Sequence, residues 1–231
     1  MLGIIGAMEV EVARLKEAME QLKVHQKAGM EFYKGKLAGC EAVVVRSGVG
    51  KVNAAVCAQI LIDDFSADRI VNTGIAGSLQ DKIDIGDLVI SSDTLEHDMD
   101  ATGFGYAPGV IPQMDCSTFA ADEGLIALAR ECCGRVNPDI HAFVGRIVSG
   151  DAFISDKEKK AWLSETFHGM CTEMEGAAIA HTAYLNQVPF LIIRAISDKA
   201  DDSARMDYPE FEKQAVEHSV NLMLALAQEL A

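Results

Sequence analysis

Residues 169–198 read GMCTEMEGAAIAHTAYLNQVPFLIIRAISD and carry the clearest fold signal in the chain. Gly169–Thr172 predicts a short strand, Glu173–Asn186 a helix and Pro189–Ile196 a second strand. The second strand is apolar at successive positions, which is typical of a strand buried on both faces. A strand, a helix and a strand in direct succession favour an α/β fold, with a mostly parallel sheet covered by helices.

The same alternation extends from this stretch toward both ends of the chain. Further strands are predicted at Leu2–Ala7, Phe32–Leu37, Ala42–Arg46, Arg69–Asn72, Asp87–Leu95 and Phe143–Ser149. Further helices are predicted at Met8–Leu22, Val52–Asp64, Ala121–Cys132, Asp156–Thr166 and Tyr208–Leu230. Gly39 predicts a hairpin between two of the strands, and Gly103–Gln113 predicts a loop. Because no linker-like stretch or internal repeat interrupts the pattern, we predict one domain over residues 1–231.

The composition excludes several classes of partner. The chain has 231 residues, with 20 basic and 35 acidic side chains and a formal net charge of −15. Nucleic acids and anionic membrane surfaces require a basic face, so we expect neither as a partner. No segment offers the roughly 18 consecutive apolar residues of a membrane helix. Glu9 and Glu11 interrupt the apolar N-terminus, which has no basic region and predicts no secretory signal.

The six cysteines indicate a reducing compartment. They form no C-x-x-C pair and show no zinc-ligand spacing. Neighbouring Cys132 and Cys133 are poorly placed to bond to each other or to hold one metal ion together. We therefore expect reduced thiols in a cytoplasmic protein.

Two motifs match known binding sites only in part. Ser47–Lys51 reads SGVGK, but a phosphate-binding loop needs a glycine where Val45 stands and a hydroxyl residue where Val52 stands. Glu96–Asp100 reads EHDMD, which has the composition of a metal site, but no second cluster of ligands accompanies it. We interpret Glu96–Asp100 as a solvated, polar strand end, and we predict neither a metal ion nor a cofactor.

Carboxylates stand at the predicted ends of several strands, where ligands bind in sheets of this kind. Glu11 follows the first strand, Glu173 and Glu175 open a helix, and Asp198 follows an apolar strand. Each also has a structural interpretation. Acids stabilise the first turn of a helix, Thr172–Glu175 matches a T-x-x-E capping box that would make Glu175 structural, and Asp198 fits a turn. Because all of these carboxylates are predicted at the same edge of the sheet, we favour a shared catalytic role over the separate structural ones.

Such a set suits cleavage of a glycosidic bond. An oxocarbenium-like transition state needs an acid for the leaving group, a carboxylate base for water, and hydrogen bonds to the sugar hydroxyls. A ribosyl–adenine bond is a close chemical relative, with the base as the leaving group. Burial beside apolar strand residues would raise the pKa of an aspartate and keep it protonated for the role of acid.

Eight segments together resemble one enzyme family. In chain order they are GIIGAMEVEV, SGVGKVNAA, NTGIAGSL, GDLVISSD, the D-x-D…FGY…P loop, VSGDAFI, TEMEGAAIAH and RAISDKAD. They resemble the 5′-methylthioadenosine/S-adenosylhomocysteine nucleosidases of the purine nucleoside phosphorylase/uridine phosphorylase superfamily. The resemblance covers nearly the whole chain and implies a single-domain, three-layer α/β fold with a mixed central sheet flanked by helices.

The resemblance implies roles for three carboxylates. Glu11 would activate the attacking water, Glu175 would hold the ribose hydroxyls, and Asp198 would protonate adenine at N7. Around them it implies a set of substrate-binding residues, namely Met8, Val49, Ile75, Ala76, Gly77, Phe153, Ile154, Glu173, Met174, Arg194, Ser197 and Tyr208. Within this set Phe153 would stack on adenine and Arg194 would position groups around the water. Met8, Val49 and Tyr208 would border an apolar pocket for the 5′-thioether.

The resemblance also implies a homodimer in methionine salvage, with a loop of the neighbouring subunit closing the 5′ end of the site. Phe104, Tyr106 and Pro112 occupy the matching loop. Without the resemblance, these three residues fit an ordinary surface loop, although an exposed apolar cluster also marks interfaces.

The sequence favours hydrolysis over phosphorolysis. A phosphorylase needs basic and hydroxyl donors around its phosphate, but here Glu11 stands in the first loop and Ile75 replaces a hydroxyl residue. A carboxylate repels phosphate, whereas it can take a proton from water. The alternatives are a hydrolase of futalosine or its 6-amino analogue, a nucleoside phosphorylase, and a non-catalytic nucleoside-binding protein.

Overall fold

A computed structural model describes residues 1–201 and 204–231, with the side chains of all of these except 205–210. In this part of the chain, the strands are β1 (Leu2–Gly6), β2 (Met19–Lys27), β3 (Met30–Leu37), β4 (Cys40–Arg46), β5 (Arg69–Ser78), β6 (Leu88–Glu96), β7 (Phe119–Ala120), β8 (Ala142–Ser149), β9 (Cys171–Glu173) and β10 (Phe190–Asp198). The helices are α1 (Glu9–Glu17), α2 (Lys51–Phe65), α3 (Glu123–Val136), α4 (Lys157–Phe167), α5 (Gly176–Leu185) and α6 (Ala204–Glu229).

The strands form one mixed sheet in the order β10-β6-β8-β9-β5-β1-β4-β3-β2. Because β10 also bonds to β5, the strands β5, β9, β8, β6 and β10 close into a ring. The fold class implied by the resemblance, an α/β fold with a mixed sheet flanked by helices, is confirmed. The mostly parallel sheet predicted from the alternation is wrong, since β2, β3 and β4 form an antiparallel meander and β10 runs antiparallel to β6.

The predicted helix Met8–Leu22 is too long. Helix α1 ends at Glu17, and Met19–Lys27 forms an edge strand that pairs with β3 through a turn at Ala28 and Gly29. Both turn residues have positive φ, as the tight turns that join antiparallel strands require. Only Met19 of β2 is buried. The other residues of β2, including Leu22 and Val24, are exposed, so burial does not specify the strand and its backbone pairing with β3 determines its conformation.

The layout of the sheet brings the ends of its central strands together. Strand β1 lies between β4 and β5 and is parallel to both, and β10 is parallel to β5, so all four end at the same edge. In register, Ile196 lies opposite Ala76 and Asp198 opposite Gly77. Every residue of β1 and of β10 is buried between the flanking helices. Within the described residues, no helix combines the length and apolar character needed to cross a bilayer.

Candidate active site

A cavity of about 410 Å³ opens at this edge of the sheet. Main-chain and side-chain atoms from six chain segments form its wall, which consists of Ala7, Met8, Glu11, Val49, Ile75, Ala76, Gly77, Phe153, Thr172, Glu173, Met174, Glu175, Ser197 and Asp198. Most of the wall is apolar, and its charged groups are carboxylates. None of these described lining residues carries a basic side chain.

The carboxylate of Glu11 is fixed by three main-chain donors. One oxygen accepts the N–H groups of Ala7 at 2.7 Å and Met8 at 2.9 Å, and the other accepts the N–H of Ile75 at 3.2 Å. Glu11 is only 5% exposed. Burial raises the pKa of Glu11, whereas the nearby Arg194 guanidinium and the three N–H donors lower it. A buried carboxylate with a raised pKa is a stronger base for abstracting a proton from water.

Two glycines of the NTGIAGS segment allow the acids to approach strand β5. A Cβ atom on Gly74 would lie 2.6 Å from Oε1 of Glu11, and one on Gly77 would lie 2.8 Å from Oδ1 of Asp198. Both distances are far shorter than van der Waals contact. Glycine is therefore required at these positions because the carboxylates pack directly on the backbone of the strand.

Glu175 stands immediately before helix α5 and connects two loops. Its Oε1 accepts the N–H of Gly50, at the start of helix α2, at 2.8 Å. Burial first, and then the negative charge of Glu173, raise the pKa of Glu175 to about 7, although Arg194 and the Gly50 N–H act in the opposite direction. No described donor contacts the second oxygen of Glu175, which can therefore accept a hydrogen bond from a ligand hydroxyl.

The alternative, structural interpretation of Thr172–Glu175 as a T-x-x-E capping box is wrong. Glu175 makes no side-chain cap, and it is the carboxylate of Glu173 that accepts the N–H groups of Glu175 at 3.1 Å and Gly176 at 2.8 Å. The hydroxyl of Thr172 is buried and, among the residues that the structure describes, has no hydrogen-bond partner, so it does not cap the helix. The strand β9 extends through Glu173, so the helix begins three residues later than predicted, and Glu175 is not used for capping.

Arg194 lies behind the cavity and not in its wall. It is 1% exposed, and its guanidinium donates to Glu173, to Asn72 and to the carbonyl of Ile193. Glu173 also accepts the hydroxyl of Ser149. A buried ion pair with all these hydrogen bonds is rigid. It places a positive charge behind Glu11 and Glu175 without offering it to a ligand.

Asp198 ends strand β10 and is 2% exposed. Its Oδ2 accepts the hydroxyl of Ser197 at 2.9 Å, and its Oδ1 accepts the N–H of Ala200 at 2.8 Å. These contacts fix the plane of the carboxyl group at the cavity wall. The predicted neighbours Glu11, Glu175 and Asp198 therefore line one cavity.

The remaining predicted residues differ in their position relative to the cavity. Met8, Val49, Ile75, Ala76, Gly77, Phe153, Glu173, Met174 and Ser197 line the cavity. Ile154 lines a small adjoining space of about 30 Å³ that also touches Phe153 and Asp198. Tyr208 lies outside the residues whose side chains the structure describes. Phe104, 89% exposed, Tyr106 and Pro112 do not line the cavity of this chain.

The prediction missed two lining residues, Ala7 and Thr172. Both are immediate neighbours of predicted segments, and Ala7 acts through its main-chain N–H, for which a sequence carries no side-chain signal. The interpretation of Glu96–Asp100 as solvated is wrong for Glu96 and His97, which are buried, whereas Asp98 and Asp100 are exposed. Glu96 accepts from Lys51 and contacts His181, so its charge is neutralised inside the protein. Among the side chains described, no group of three or more metal-binding residues is gathered at one place.

Comparison with known proteins places this geometry in a family. The model of the phosphorylase superfamily matches residues 1–228. A 5′-methylthioadenosine/S-adenosylhomocysteine nucleosidase from Bacillus thuringiensis subsp. konkukian is 40% identical over 230 residues, covering 99% of each chain. The crystal structure of such a nucleosidase from Neisseria meningitidis, in complex with methylthio-immucillin-A, has a TM-score of 0.94 and 41% identity, covering 99% of both chains.

A third relative is a hydrolase of a different nucleoside. The futalosine hydrolase of Helicobacter pylori strain 26695 has a TM-score of 0.94 and 31% identity, covering 99% of this chain and 97% of that one. The matches extend over the whole fold, including every loop that forms the cavity. The chain therefore belongs to the phosphorylase superfamily and, within it, to the family of the 5′-methylthioadenosine/S-adenosylhomocysteine nucleosidases.

Proposed function

We propose that this protein hydrolyses the N-glycosidic bond of 5′-methylthioadenosine and S-adenosylhomocysteine, releasing adenine and a 5-thioribose product. One observation carries the proposal: Glu11, Glu175 and Asp198 line a single, largely apolar cavity of about 410 Å³. A volume of this size suits a nucleoside. The family relationship supports the same activity.

Each carboxylate has a step that its surroundings favour. Asp198 donates a proton to adenine N7, which makes the base a better leaving group. Glu175 accepts hydrogen bonds from the ribose hydroxyls and favours the positive charge that develops on the sugar. Glu11 takes the proton of the water that attacks the anomeric carbon. The carboxylate of Glu11 needs no rearrangement for this step, because its main-chain donors already hold it in place.

The walls of the cavity suit the two ends of the substrate. Phe153 is 50% exposed and gives a flat apolar surface on which adenine can stack. Met8 and Val49 lie at the other end, where burial of a methylthio group removes apolar surface from water. Ile154 lies next to Phe153 and Asp198, within reach of the base edge through its backbone.

The charge of the wall favours water over phosphate as the nucleophile. A phosphate needs arginine, lysine or other strong donors. Each described charged residue of the wall is acidic, and Arg194 is ion-paired to Glu173 behind it. The side chain of Ile75 offers no hydroxyl, and only its main-chain N–H contacts Glu11. Phosphate would meet the carboxylate of Glu11 and be repelled.

We further propose a homodimer in which Phe104, Tyr106 and Pro112 of each subunit cover the 5′ end of the neighbouring site. Phe104 and Tyr106 are exposed, and burial against a second copy would remove their apolar surface from water. The six free cysteines are consistent with a cytoplasmic protein. Methylthioadenosine hydrolysis would place it in methionine salvage.

The decisive experiment measures adenine release from 5′-methylthioadenosine in buffer stripped of phosphate and treated with a chelator. Prompt release under these conditions is the expected result. Release that begins only after phosphate is added would make the protein a phosphorylase and would overturn the role of Glu11. No release in either buffer would mean that the substrate is another nucleoside, or that the protein binds a nucleoside without cleaving it.

A second candidate is hydrolysis of futalosine or its 6-amino analogue. It is favoured by the likeness to the Helicobacter pylori futalosine hydrolase. The same three carboxylates would serve, and only the group at the 5′ position would differ. Competition between 6-amino-6-deoxyfutalosine and 5′-methylthioadenosine in one assay separates the two, since the preferred substrate has the larger kcat/KM.

A further inference from the structure

Helix α2 begins beside the cavity, and the groups that cap it come from other parts of the chain. The first N–H groups of a helix have no intrahelical partner, and Gly50 at the N-cap has no side chain to supply one. Glu175 accepts the N–H of Gly50 at 2.8 Å, and Oδ1 of Asp151 accepts the N–H of Lys51 at 2.8 Å. The proposed ribose-binding carboxylate and Asp151 therefore hold two successive peptide groups of the same turn.

Asp151 is itself held in place. Its main-chain N–H donates to Oδ2 of Asp98 at 2.9 Å, and Oδ1 of Asp98 accepts the ammonium group of Lys51 at 2.6 Å. Lys51, Asp98 and Asp151 therefore form a closed ring of three hydrogen bonds, which joins the start of α2 to the segments after β6 and β8. Each of these bonds involves a carboxylate, which makes it stronger than a bond between neutral groups.

The ring is anchored to helix α5, which follows Glu175 directly. The ammonium group of Lys51 also donates to Glu96 at 3.2 Å, and the other oxygen of Glu96 lies 3.2 Å from Nδ1 of His181. His181 belongs to α5, and its imidazole stacks on the ring of Phe119. The hydrogen-bonded ring and Glu175 are therefore supported by the same helix.

The segment before α2 depends on contacts of this kind. Gly48 and Gly50 have φ values of +86° and +97°, and a glycine has more backbone freedom than any other residue. Contacts with neighbouring segments therefore decide the direction of the Gly50 N–H, and the bond from the next residue, Lys51, to Asp151 is the nearest of these. A Cβ atom on Gly50 would lie 3.1 Å from Oδ1 of Asp151, so the carboxylate packs directly against the turn.

We propose that Asp151 is a positioning residue for the proposed reaction, because it fixes the N–H of Gly50 on Glu175 and so orients Glu175 toward the ribose hydroxyls. The inference rests on the proposed function and adds a residue outside the cavity to it. Asp151 is exposed and does not belong to the cavity wall, so its effect passes through Lys51 and Gly50.

The test compares kcat/KM for 5′-methylthioadenosine and for its analogue without the 2′- and 3′-hydroxyl groups. Asp151→Ala should lower kcat/KM for 5′-methylthioadenosine about three- to tenfold, the range expected from the loss of one hydrogen bond. It should affect the analogue much less, because the analogue has no hydroxyl for Glu175 to hold. Asp151→Asn keeps an oxygen that accepts the N–H of Lys51 and should retain most of the rate. Asp139→Ala removes an exposed acid before β8, whereas Asp151 follows that strand, and serves as the matched control.

The acidic limb of the pH profile of kcat/KM gives a second readout. Activity should rise with pH as Glu175 ionises, and the N–H of Gly50 lowers the pKa of Glu175. Asp151→Ala should move this limb to higher pH, because a carboxylate that loses a donor has a higher pKa. Loss of the negative charge alone would move the limb to lower pH, and Asp151→Asn measures that effect. Both variants retain the other charged groups around Glu175, which are Glu173, Arg194, Glu11 and, on α2, Lys51.

Each outcome decides one question. Equal losses on the two substrates, or no loss on either, would overturn the positioning role while adenine release by the unmodified protein remained. An equal loss in Asp151→Asn and Asp151→Ala would also overturn it, since the charge and not the hydrogen bond would then be responsible. If the unmodified protein released adenine from neither substrate, the proposed function itself would fail. The thermal midpoint of each variant shows that the fold is retained.

Discussion

Gly74→Ala tests whether the backbone of strand β5 positions the proposed base. The new Cβ would lie 2.6 Å from Oε1 of Glu11 and 3.1 Å from its Cδ, where ordinary contact begins near 3.4 Å. The strand cannot retreat, because it pairs with β1 on one side and with β10 on the other. The carboxylate must therefore move by close to 1 Å, away from the N–H of Ile75.

A displacement of that size has two measurable consequences. Misplacement of a reacting group by about 1 Å can reduce the rate on the order of 100-fold, so kcat for adenine release should fall by that factor. Crowding in a packed interior should also lower the free energy of unfolding by about 1–3 kcal/mol, as measured by denaturant titration. Substrate affinity, measured by adenine-analogue binding, should change little because the adenine end of the cavity is not altered.

A double-variant cycle isolates the cause. If Gly74→Ala acts through Glu11, it should cause no further loss of rate in a Glu11→Ala background, where the carboxylate is absent. Gly134→Ala is the matched control, since a Cβ at Gly134 meets nothing within 4 Å. A Gly74→Ala enzyme that kept most of its kcat, or lost as much rate without Glu11 as with it, would refute the reasoning.

Three further predictions concern the buried charges. Asp198→Asn should lower kcat by about 100-fold or more while the thermal midpoint stays unchanged, because the acid is lost but its size is kept; a near-normal rate would remove Asp198 from the role of acid. Glu175→Gln should give a folded but nearly inactive protein. Since burial raises the pKa of Glu175 from 4.5 to about 7, its ionisation costs stability as pH rises through that interval, so Glu175→Gln should be more stable than the unmodified protein at pH 8 and equal to it near pH 4; the opposite trend in thermal midpoint would contradict this. Arg194→Met should lower the free energy of unfolding by about 3–5 kcal/mol by leaving Glu173 buried and unpaired, and adding Glu173→Gln should recover part of the loss. No recovery in the double variant would show that the cost is steric.

The ring of strands explains why a local pattern misjudged the direction of the sheet. Most of the strands and helices can be read from apolar runs, because each run reflects the burial of its own residues, but the exposed edge strand β2 cannot. Whether two strands are parallel depends on which strands become neighbours. The antiparallel pairing of β3 with β4 follows from a local hairpin, which Gly39 predicts, but β10 meets β6 in the opposite direction only when the ring closes. That pairing joins residues about a hundred positions apart.

The two glutamates of the TEMEG segment also show the difference between what the local sequence indicates and what the tertiary contacts decide. The sequence identifies both as acids beside a strand end, but local capping rules assign the structural role to Glu175. In the folded protein Glu173 meets Arg194 and Ser149, which come from β10 and β8, and is fixed as the helix cap. Glu175 is thereby left to face the cavity and the N–H of Gly50.

Sequence alone determined the α/β class, the family and the position of Glu11, Glu175 and Asp198 at strand ends, because each depends on residue type and order. Tertiary structure decided which groups fix those acids. Main-chain donors at Ala7, Met8 and Ile75 hold Glu11, and a backbone that is free of Cβ atoms at Gly74 and Gly77 makes room for the carboxylates. Main-chain N–H groups are the same at every residue except proline, so only the folded arrangement of the strands can select the ones that meet at a site.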